Sequence, residues 1–510
     1  MLAKIQSVGV YGIDAYPVEV EVDLSGGLPT TVVVGLPDLA VKESRDRVRA
    51  AVLNSGYEFP QKRTTINLAP ADVRKEGPSF DLPIAMGILG ASRQLASTTL
   101  EKYALAGELA LDGGLRAVRG ALSMAMACRE SSIEGLILPK ANAAEAAVVQ
   151  DVEVIPVESL GDAVGFLSGE LEIEPVKVSP EEAFERTSEY ERDFSDVRGQ
   201  EHVKRALVVA AAGGHNVIML GPPGSGKTML AMRLPSVLPK LALEESLETT
   251  RVHSVAGLLP PETPLMGTRP FRSPHHTISE AGLVGGGSFP RPGEVSLAHN
   301  GVLFLDELPE FNRRTLEVLR QPLEQGSVTI ARAASSVTYP SRMMLVCAMN
   351  PCPCGYYTDP KRECRCTTTQ VRNYISRISG PLLDRIDIHV EVPSISYKEL
   401  SGNPSGPSSK DLREDVERAR AAQARRLAGD KLLTNSQMSS KLIRRHCRLS
   451  SECSNLLRQA MHELGLSARA HDKILKVART IGDLDGAEEI RIEHLSEAIQ
   501  YRSLDREFWR

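Results

Sequence analysis

Apolar and polar positions change period several times along the first 170 residues. From Pro17 to Leu24, Thr30 to Gly35 and Thr64 to Leu68 they form short β-patterned runs, which predict strands. From Val41 to Asn54 the period lengthens: Val41, Val48 and Val52 recur at helical spacing. Strand and helix patterns interleave throughout, so residues 1–170 are expected to form one α/β domain. Residues 171–195, LEIEPVKVSPEEAFERTSEYERDFS, are acidic and lack a strong apolar period, and they are expected to tether rather than to pack. A helix over Gln200–Ala212 then leads into the apolar run HNVIML, a buried-strand pattern. From there to about Pro393 the two patterns alternate, which predicts a mostly parallel sheet in a second domain, 196–400. SGNPSGPSS, 401–409, reads as a solvated low-complexity break. Helical patterns follow at Asp411–Gly429, Ser439–Arg444, Ser450–Gly465, Ala468–Ile481 and Ile492–Tyr501, so 410–510 is expected to be all-helical.

A chain of 510 residues fits about three domains, each able to bury its own core. The net charge of −5 excludes a global cationic field, so any contact with nucleic acid must come from local patches. Aromatic residues at 4% argue against a surface built from many base-stacking platforms. There is no run of about eighteen apolar residues, and MLAKIQSVGVYG lacks the features of an export signal. A cytoplasmic protein without a membrane partner is therefore expected. Its 8 cysteines do not make a disulfide scaffold, but four of them fall between Cys352 and Cys366.

The segment Gly221-Pro222-Pro223-Gly224-Ser225-Gly226-Lys227-Thr228 matches the phosphate-loop pattern G-x-x-x-x-G-K-[ST], with an apolar strand before it and a helix-compatible run after it. Its glycines let backbone N–H groups converge on phosphate oxygens, Lys227 neutralises the terminal phosphates, and the Thr228 hydroxyl suits Mg2+. About 80 residues on, GVLFLDE ends an apolar strand in Asp306, suited to hold Mg2+ through water, and Glu307, suited to polarise the attacking water. ATP and Mg2+ are the cofactors this pairing predicts. A third apolar run, Met343–Met349, ends at Asn350, placed either to position the hydrolytic water or to touch the γ-phosphate. Arg385 in LLDRID and Arg469 in SAR each follow or open a helical pattern; a surface ion pair is the plain alternative for both.

Gly285–Gly293 is too rich in glycine and proline for a packed element, so it is expected to project a loop tipped by Phe289 and Arg291, or else to seal a subunit interface. Ser327–Pro340 is β-patterned on both sides of RAAS, which predicts a hairpin with Arg332 at its tip. Cys352, Cys354, Cys364 and Cys366 offer four thiolates, a set suited to a structural Zn2+. The single-residue spacing within each pair departs from the usual C-x2–4-C, so free thiols stay open as the alternative.

These motifs in this order resemble the AAA+ ATPases, in the magnesium-chelatase-like branch of the competence-associated ComM and YifB proteins. Beside GPPGSGKT the resemblance is carried by RSPHHTISEAGLVGGGSFPRPGEVSLAHNGVLFLDELPEF, LEQGSVTIARAASSVTYPSRMMLVCAMNPCPCGYY and GPLLDRIDIHVEVP, and it covers the whole chain. The resemblance implies that Asn350 is a sensor, that Arg385 is an arginine finger offered to a neighbour's ATP, and that Arg469 is a second sensor. A finger supplied in trans implies a ring, usually a homo-hexamer, in which Arg332 repeats around the pore. The branch is also similar to ring helicases that carry two extra hairpins, which makes Phe289, Arg291 and Arg332 candidate DNA contacts.

At the N-terminus, KEGPSFDLPIA, LAGELALDGGLRAVRGAL and LILPK resemble the proteolytic domain of Lon, with Ser79 at the nucleophile. The position of the Lon lysine falls on Leu122; Arg119 nearby stays protonated, and Lys140 reads as a surface residue. The fold expectation is thus a Lon-protease-like α/β domain without its dyad, an AAA+ phosphate-loop core and a helical lid. The functional expectation is an ATPase that acts as a DNA helicase on single-stranded and branched DNA, driving branch migration in natural transformation and homologous recombination. The rivals are a chaperone-like motor of the magnesium-chelatase type and an ATP-dependent protease.

Overall fold

The computed structural model describes residues 1–510 except 96–99, 261–262, 288–289, 333–334, 358, 360–361, 395–405 and 505–510, with backbone only at 39, 332 and 335. The fold is α/β and divides into two compact units. One comprises Met1–Ser188, Ala242–Gly267 and Ala331–Tyr339; the other comprises Glu189–Leu241, Thr268–Ile330 and Pro340–Arg510.

The first unit is built on a seven-stranded sheet in the spatial order Thr30–Val34, Arg63–Ala69, Asp14–Ser25, Leu2–Tyr11, Tyr103–Leu105, Gly135–Pro139, Glu153–Val157. Leu2–Tyr11 pairs antiparallel with Asp14–Ser25, whereas the last four strands in that order run parallel. Neighbouring residues of one strand enter different apolar clusters: Ile137 and Ile155 in one, Leu136, Leu138 and Val154 in the other. That alternation means both sheet faces are covered, as parallel strands require.

The second unit holds a five-stranded, fully parallel sheet in the order Phe271–Arg272, Val302–Leu305, Met344–Met349, Val217–Leu220, Ile388–Glu391. The three central strands are buried at every position, which is why they read as continuous apolar runs rather than alternating ones. Its C-terminal part is helical: Ser409–Leu427, Ser440–His446, Ser451–Glu463, Ala468–Leu484 and Ile492–Gln500. Ser408, Ser450 and Ser467 cap the first, third and fourth of these helices, each accepting the N–H three residues on. A capping hydroxyl satisfies an N–H that the helix leaves orphaned. Among the described residues no helix is long and apolar enough to cross a membrane.

Three boundaries differ from expectation. The acidic stretch 171–195 is not a bare tether: it contains the helix Pro180–Arg186 with Ala183 buried, Val176 bridges to Val154, and Phe194 is 1% exposed. Its apolar residues are too few for a period, yet Val176, Ala183 and Phe194 find packing partners. The end of the 401–409 break is also packed, because Ser409 Oγ accepts from Phe194 N at 2.8 Å and Ser409 N donates to Asp193; residues 401–405 lie outside the described residues. Finally, the span 196–400 is not one unit. The helix Leu243–Ala256 and residues 331–339 belong to the N-terminal unit, where Arg251 pairs with Asp14 at 2.5 Å and Gly120 N donates to Ser254 O.

Candidate nucleotide site

Three parallel strands end side by side, and the residue following each apolar run is polar or begins the phosphate loop. Leu220 is in register with Met349, and Leu305 with Cys347, so Gly221, Asn350 and Asp306 emerge together at the carboxyl edge of the sheet. The strand Met344–Met349 lies between the other two. This is the crevice in which open α/β sheets bind ligands.

Gly221 lies so close to the next strand that a Cβ there would stand 2.1 Å from Val392 O. Gly224 and Gly226 take φ values of 76° and 90°, the left-handed region that turns successive N–H groups inward. Lys227 opens the helix Lys227–Arg233 and is buried. Its Nζ donates to Gly221 O at 2.8 Å, Pro222 O at 3.0 Å and Asn350 Oδ1 at 3.2 Å. Those partners are neutral. Burial therefore pulls the ammonium down to about 8, against the opposing charges of Asp306 and Glu307. Thr228 Oγ1 donates to Asp306 Oδ2 at 2.7 Å, and Asp306 Oδ1 accepts from Glu307 N at 2.9 Å.

Glu307 has a left-handed backbone, φ 52°, at the start of the turn Leu308–Glu310. Its carboxylate stands 3.5 Å from His276 Nδ1, and the His276 ring lies tilted by 33° against His275 with ring centroids 4.1 Å apart. A second residue absent from the sequence expectations is Gln200, which caps the helix Glu201–Gly213 in a left-handed conformation. Its Nε2 donates to Ser225 O at 2.7 Å and Pro393 O at 3.1 Å, while its buried Oε1 finds no hydrogen bond within the protein. The HH pair was visible in the sequence, but nothing in its spacing aims it at a carboxylate 31 positions away.

Arg385 does not stand free. Its guanidinium pairs with Glu324 and donates to Pro381 O at 2.5 Å, leaving Nε buried without a bond. Arg469 is mostly exposed and pairs with Asp384 at 3.1 Å, one residue before Arg385. Behind them, Asp387 receives Lys473 Nζ at 2.7 Å, His215 Nδ1 at 3.4 Å and Asn216 N at 3.2 Å. Burial pushes the Asp387 carboxyl up, but the ammonium of Lys473 and the adjacent His215 imidazole outweigh it and hold the group well below the usual carboxylate range, while burial keeps His215 itself below the ordinary imidazole value.

Of the candidate DNA contacts, Arg291 is exposed on a short antiparallel ladder, Gly285–Gly286 against Arg291–Pro292. Phe289 lies outside the described residues, as does the side chain of Arg332. The second hairpin, Ser327–Arg332 and Ser335–Pro340, buries Val328, Ile330, Val337 and Tyr339 on one side. Its distal part is not a bare finger: Ser336 O accepts from Tyr11 Oη at 3.2 Å, and Val337 covers Gly12. The sulfur atoms of Cys352, Cys354, Cys364 and Cys366 all lie within 4.8 Å of one another.

In the N-terminal unit Ser79 is 8% exposed, while Leu122 is fully buried among alanines and valines. Asp81, two residues on, is engaged by Arg47 through two hydrogen bonds of 2.9 and 3.2 Å and anchors Leu109 N. Lys140 pairs with Glu158 at the surface.

Comparison with known proteins bears on the whole chain. Residues 193–400 match the family "Magnesium chelatase, subunit ChlI", residues 20–142 match "Subunit ChlI of Mg-chelatase", and residues 406–502 match its C-terminal region. Competence protein ComM of Haemophilus influenzae is 46% identical over 509 residues, covering 99% of this chain and 98% of ComM. The chain belongs to the ComM/YifB family of magnesium-chelatase-like AAA+ proteins. YifB of Escherichia coli is likewise 46% identical over 506 residues, 99% of this chain and 98% of YifB. The 38 kDa magnesium-chelatase subunit of Rhodobacter capsulatus is 27% identical over 177 residues, 31% of this chain and 50% of that subunit. The AAA+ family membership accords with the phosphate loop and carboxylate strand described above.

Proposed function

We propose that this chain is an ATP-driven motor that translocates on single-stranded and branched DNA as a homo-hexameric ring, promoting branch migration when incoming DNA is integrated in natural transformation and homologous recombination. The observation that carries the ATPase half is Lys227. A buried ammonium whose hydrogen bonds all go to neutral oxygens is short of an anion, and the phosphate loop around it is shaped to admit one. Thr228 and Asp306, already 2.7 Å apart, form the pair that would hold Mg2+, which when bound supplies positive charge to the β- and γ-phosphates. Glu307 takes the proton of the attacking water, Asn350 orients that water or the γ-phosphate, and Lys227 steadies the charge of the leaving phosphate.

Arg385 and Arg469 serve the neighbouring subunit's and the chain's own nucleotide. Arg385 must exchange Glu324 for a phosphate to do so, an exchange of one anionic partner for another. Likeness over full length to ComM supports the transformation role. Arg291 and Arg332 supply the local positive charge that a chain of net charge −5 otherwise lacks. The four-cysteine loop fits a structural Zn2+: three of its S···S separations are 3.3, 3.6 and 3.7 Å, against about 3.8 Å between thiolates on a tetrahedral zinc with Zn–S bonds of about 2.3 Å.

A protein-remodelling motor is favoured only by the partial likeness to the chelatase subunit. Proteolysis is disfavoured by the buried Leu122. The deciding experiment measures ATP turnover with single-stranded DNA, with a porphyrin-chelatase partner and with unfolded casein, alongside unwinding of forked DNA. DNA alone is expected to stimulate. Stimulation by casein or the chelatase partner without stimulation by DNA would sink the proposal.

A further inference from the structure

The four-cysteine loop begins where the catalytic edge ends. Cys352 follows Asn350 by two residues and is fully buried. The chain then turns at Gly355, whose N–H donates to Cys352 O at 2.9 Å and whose φ is 85°. At that turn the loop lies directly on the phosphate loop: a Cβ on Gly355 would stand 2.4 Å from Pro223 Cδ and 2.7 Å from Pro223 Cγ. Pro223 sits next to Gly224, within the phosphate loop. A groove between the two segments is lined by Gly221 and Pro222 on one side and by Pro351, Gly355 and Tyr357 on the other.

The far end of the loop returns to the same site. Cys366 is followed by Thr367, which caps the helix Thr368–Ile375 in a capping box with Gln370. Tyr374 on that helix is buried, and the backbone of Asn350 acts on its phenol against the upward push of burial. Just beyond the helix, Arg377 reaches Glu310 at 2.9 Å and Pro309 O, three and two residues after Glu307. No helix or strand lies between Asn350 and Thr367 among the described residues. The sulfur cluster, together with the bonds of Arg362 to Tyr356 and Asp359, cross-links a loop that touches the phosphate loop at its start and leads at its end into the helix after which Arg377 meets the turn following Glu307.

We infer that metal on the four thiolates is what holds this loop against Pro223 and Asn350, so that occupancy of the cysteine site sets how tightly the chain binds ATP. The inference rests on the zinc assignment above and adds a function to it. Without an ion, four sulfur atoms confined within 4.8 Å have no common partner and the irregular loop regains its conformational freedom. The wall on Pro223 then loosens, and the phosphate loop loses the preorganisation that makes anion binding favourable.

The test uses full-length protein purified without a metal-affinity tag and compares wild type, Gly355→Ala and Cys364→Ser. Zinc per chain is read by elemental analysis, nucleotide affinity by titration with a fluorescent ATP analogue, and folding by circular dichroism. Wild type is expected to carry one zinc. Gly355→Ala keeps all four thiolates, and it is expected to retain zinc yet bind the nucleotide about tenfold more weakly, because an alanine at positive φ and in contact with Pro223 must displace the loop. Cys364→Ser is expected to lose zinc and affinity together, and a folded Cys364→Ser without zinc that binds nucleotide within twofold of wild type overturns the inference; should Cys364→Ser fail to fold, wild type stripped of zinc by a chelator reads the same dependence. Folded, active wild type without zinc overturns the zinc assignment. Zinc present, with Gly355→Ala binding nucleotide within twofold of wild type, overturns the inference and leaves the zinc assignment standing.

Discussion

Replacing Asp387 with asparagine removes the carboxylate on which Lys473 Nζ, His215 Nδ1 and Asn216 N converge at 2.7, 3.4 and 3.2 Å. Lys473 lies on the helix Ala468–Leu484, and its side chain is 15% exposed, so it cannot swing into water without undocking that helix. Breaking a buried pair at one end costs about 3–5 kcal/mol, since the remaining charge stays buried. Slight exposure of Lys473 argues for the lower end, about 3 kcal/mol. Against a domain stability of about 5–15 kcal/mol, that is enough to make the lid open locally far more often. Asn216 also accepts from Leu345 N through Oδ1 and donates to Arg385 O through Nδ2, so the loss spreads to the segment that presents Arg385. ATP turnover should fall along with lid stability.

Amide hydrogen exchange suits the measurement, because a chain of several units does not unfold in one step. Protection across residues 468–484 should drop by about 3 kcal/mol in Asp387→Asn, and most of it should return in Asp387→Asn/Lys473→Met, where no unpaired charge is left. The sign with pH follows from the depressed carboxyl. Its stabilisation is present above the ordinary carboxylate value and is lost as pH falls below it toward the folded value. Asp387→Asn protected to within about 1 kcal/mol of wild type would refute the assignment of this cluster as the lid's anchor.

At the phosphate loop, Lys227→Ala should abolish nucleotide binding, whereas Glu307→Gln should bind ATP and turn it over at least about a hundredfold more slowly; equilibrium binding and single-turnover rates separate the two, and normal turnover by Glu307→Gln would misplace the catalytic carboxylate. Since the Lys227 amine sits at about 8, ATP affinity should be constant at lower pH and fall as pH rises through 8; a flat profile from pH 7 to 9.5 contradicts the assignment. Arg332→Ala and, more mildly, Arg291→Ala should preserve basal ATPase and ring assembly but lower DNA stimulation and the salt slope of DNA binding; unwinding at the wild-type rate by Arg332→Ala moves the strand-gripping element elsewhere.

The local geometry of the candidate nucleotide site was legible in the sequence. GPPGSGKT needs only its neighbours to be recognised, because the turn, the lysine and the hydroxyl fall within eight consecutive residues. Buried parallel strands announce themselves as unbroken apolar runs, and serine caps mark where helices of the lid begin. What the sequence left open depends on contacts across long separations. Strand order, which puts Met344–Met349 between the phosphate-loop strand and the carboxylate strand, follows from how crossovers pack rather than from residue periodicity. The same holds for His276 beside Glu307, Glu324 on Arg385 and Gly355 on Pro223, each a meeting of segments whose side chains carry no mark of their partner. Membership of the hairpin residues 331–339 in the N-terminal unit is likewise a tertiary outcome. Alternating apolar residues specify that one hairpin face will be buried, but only the folded chain decides which surface buries it, because burial free energy is non-directional.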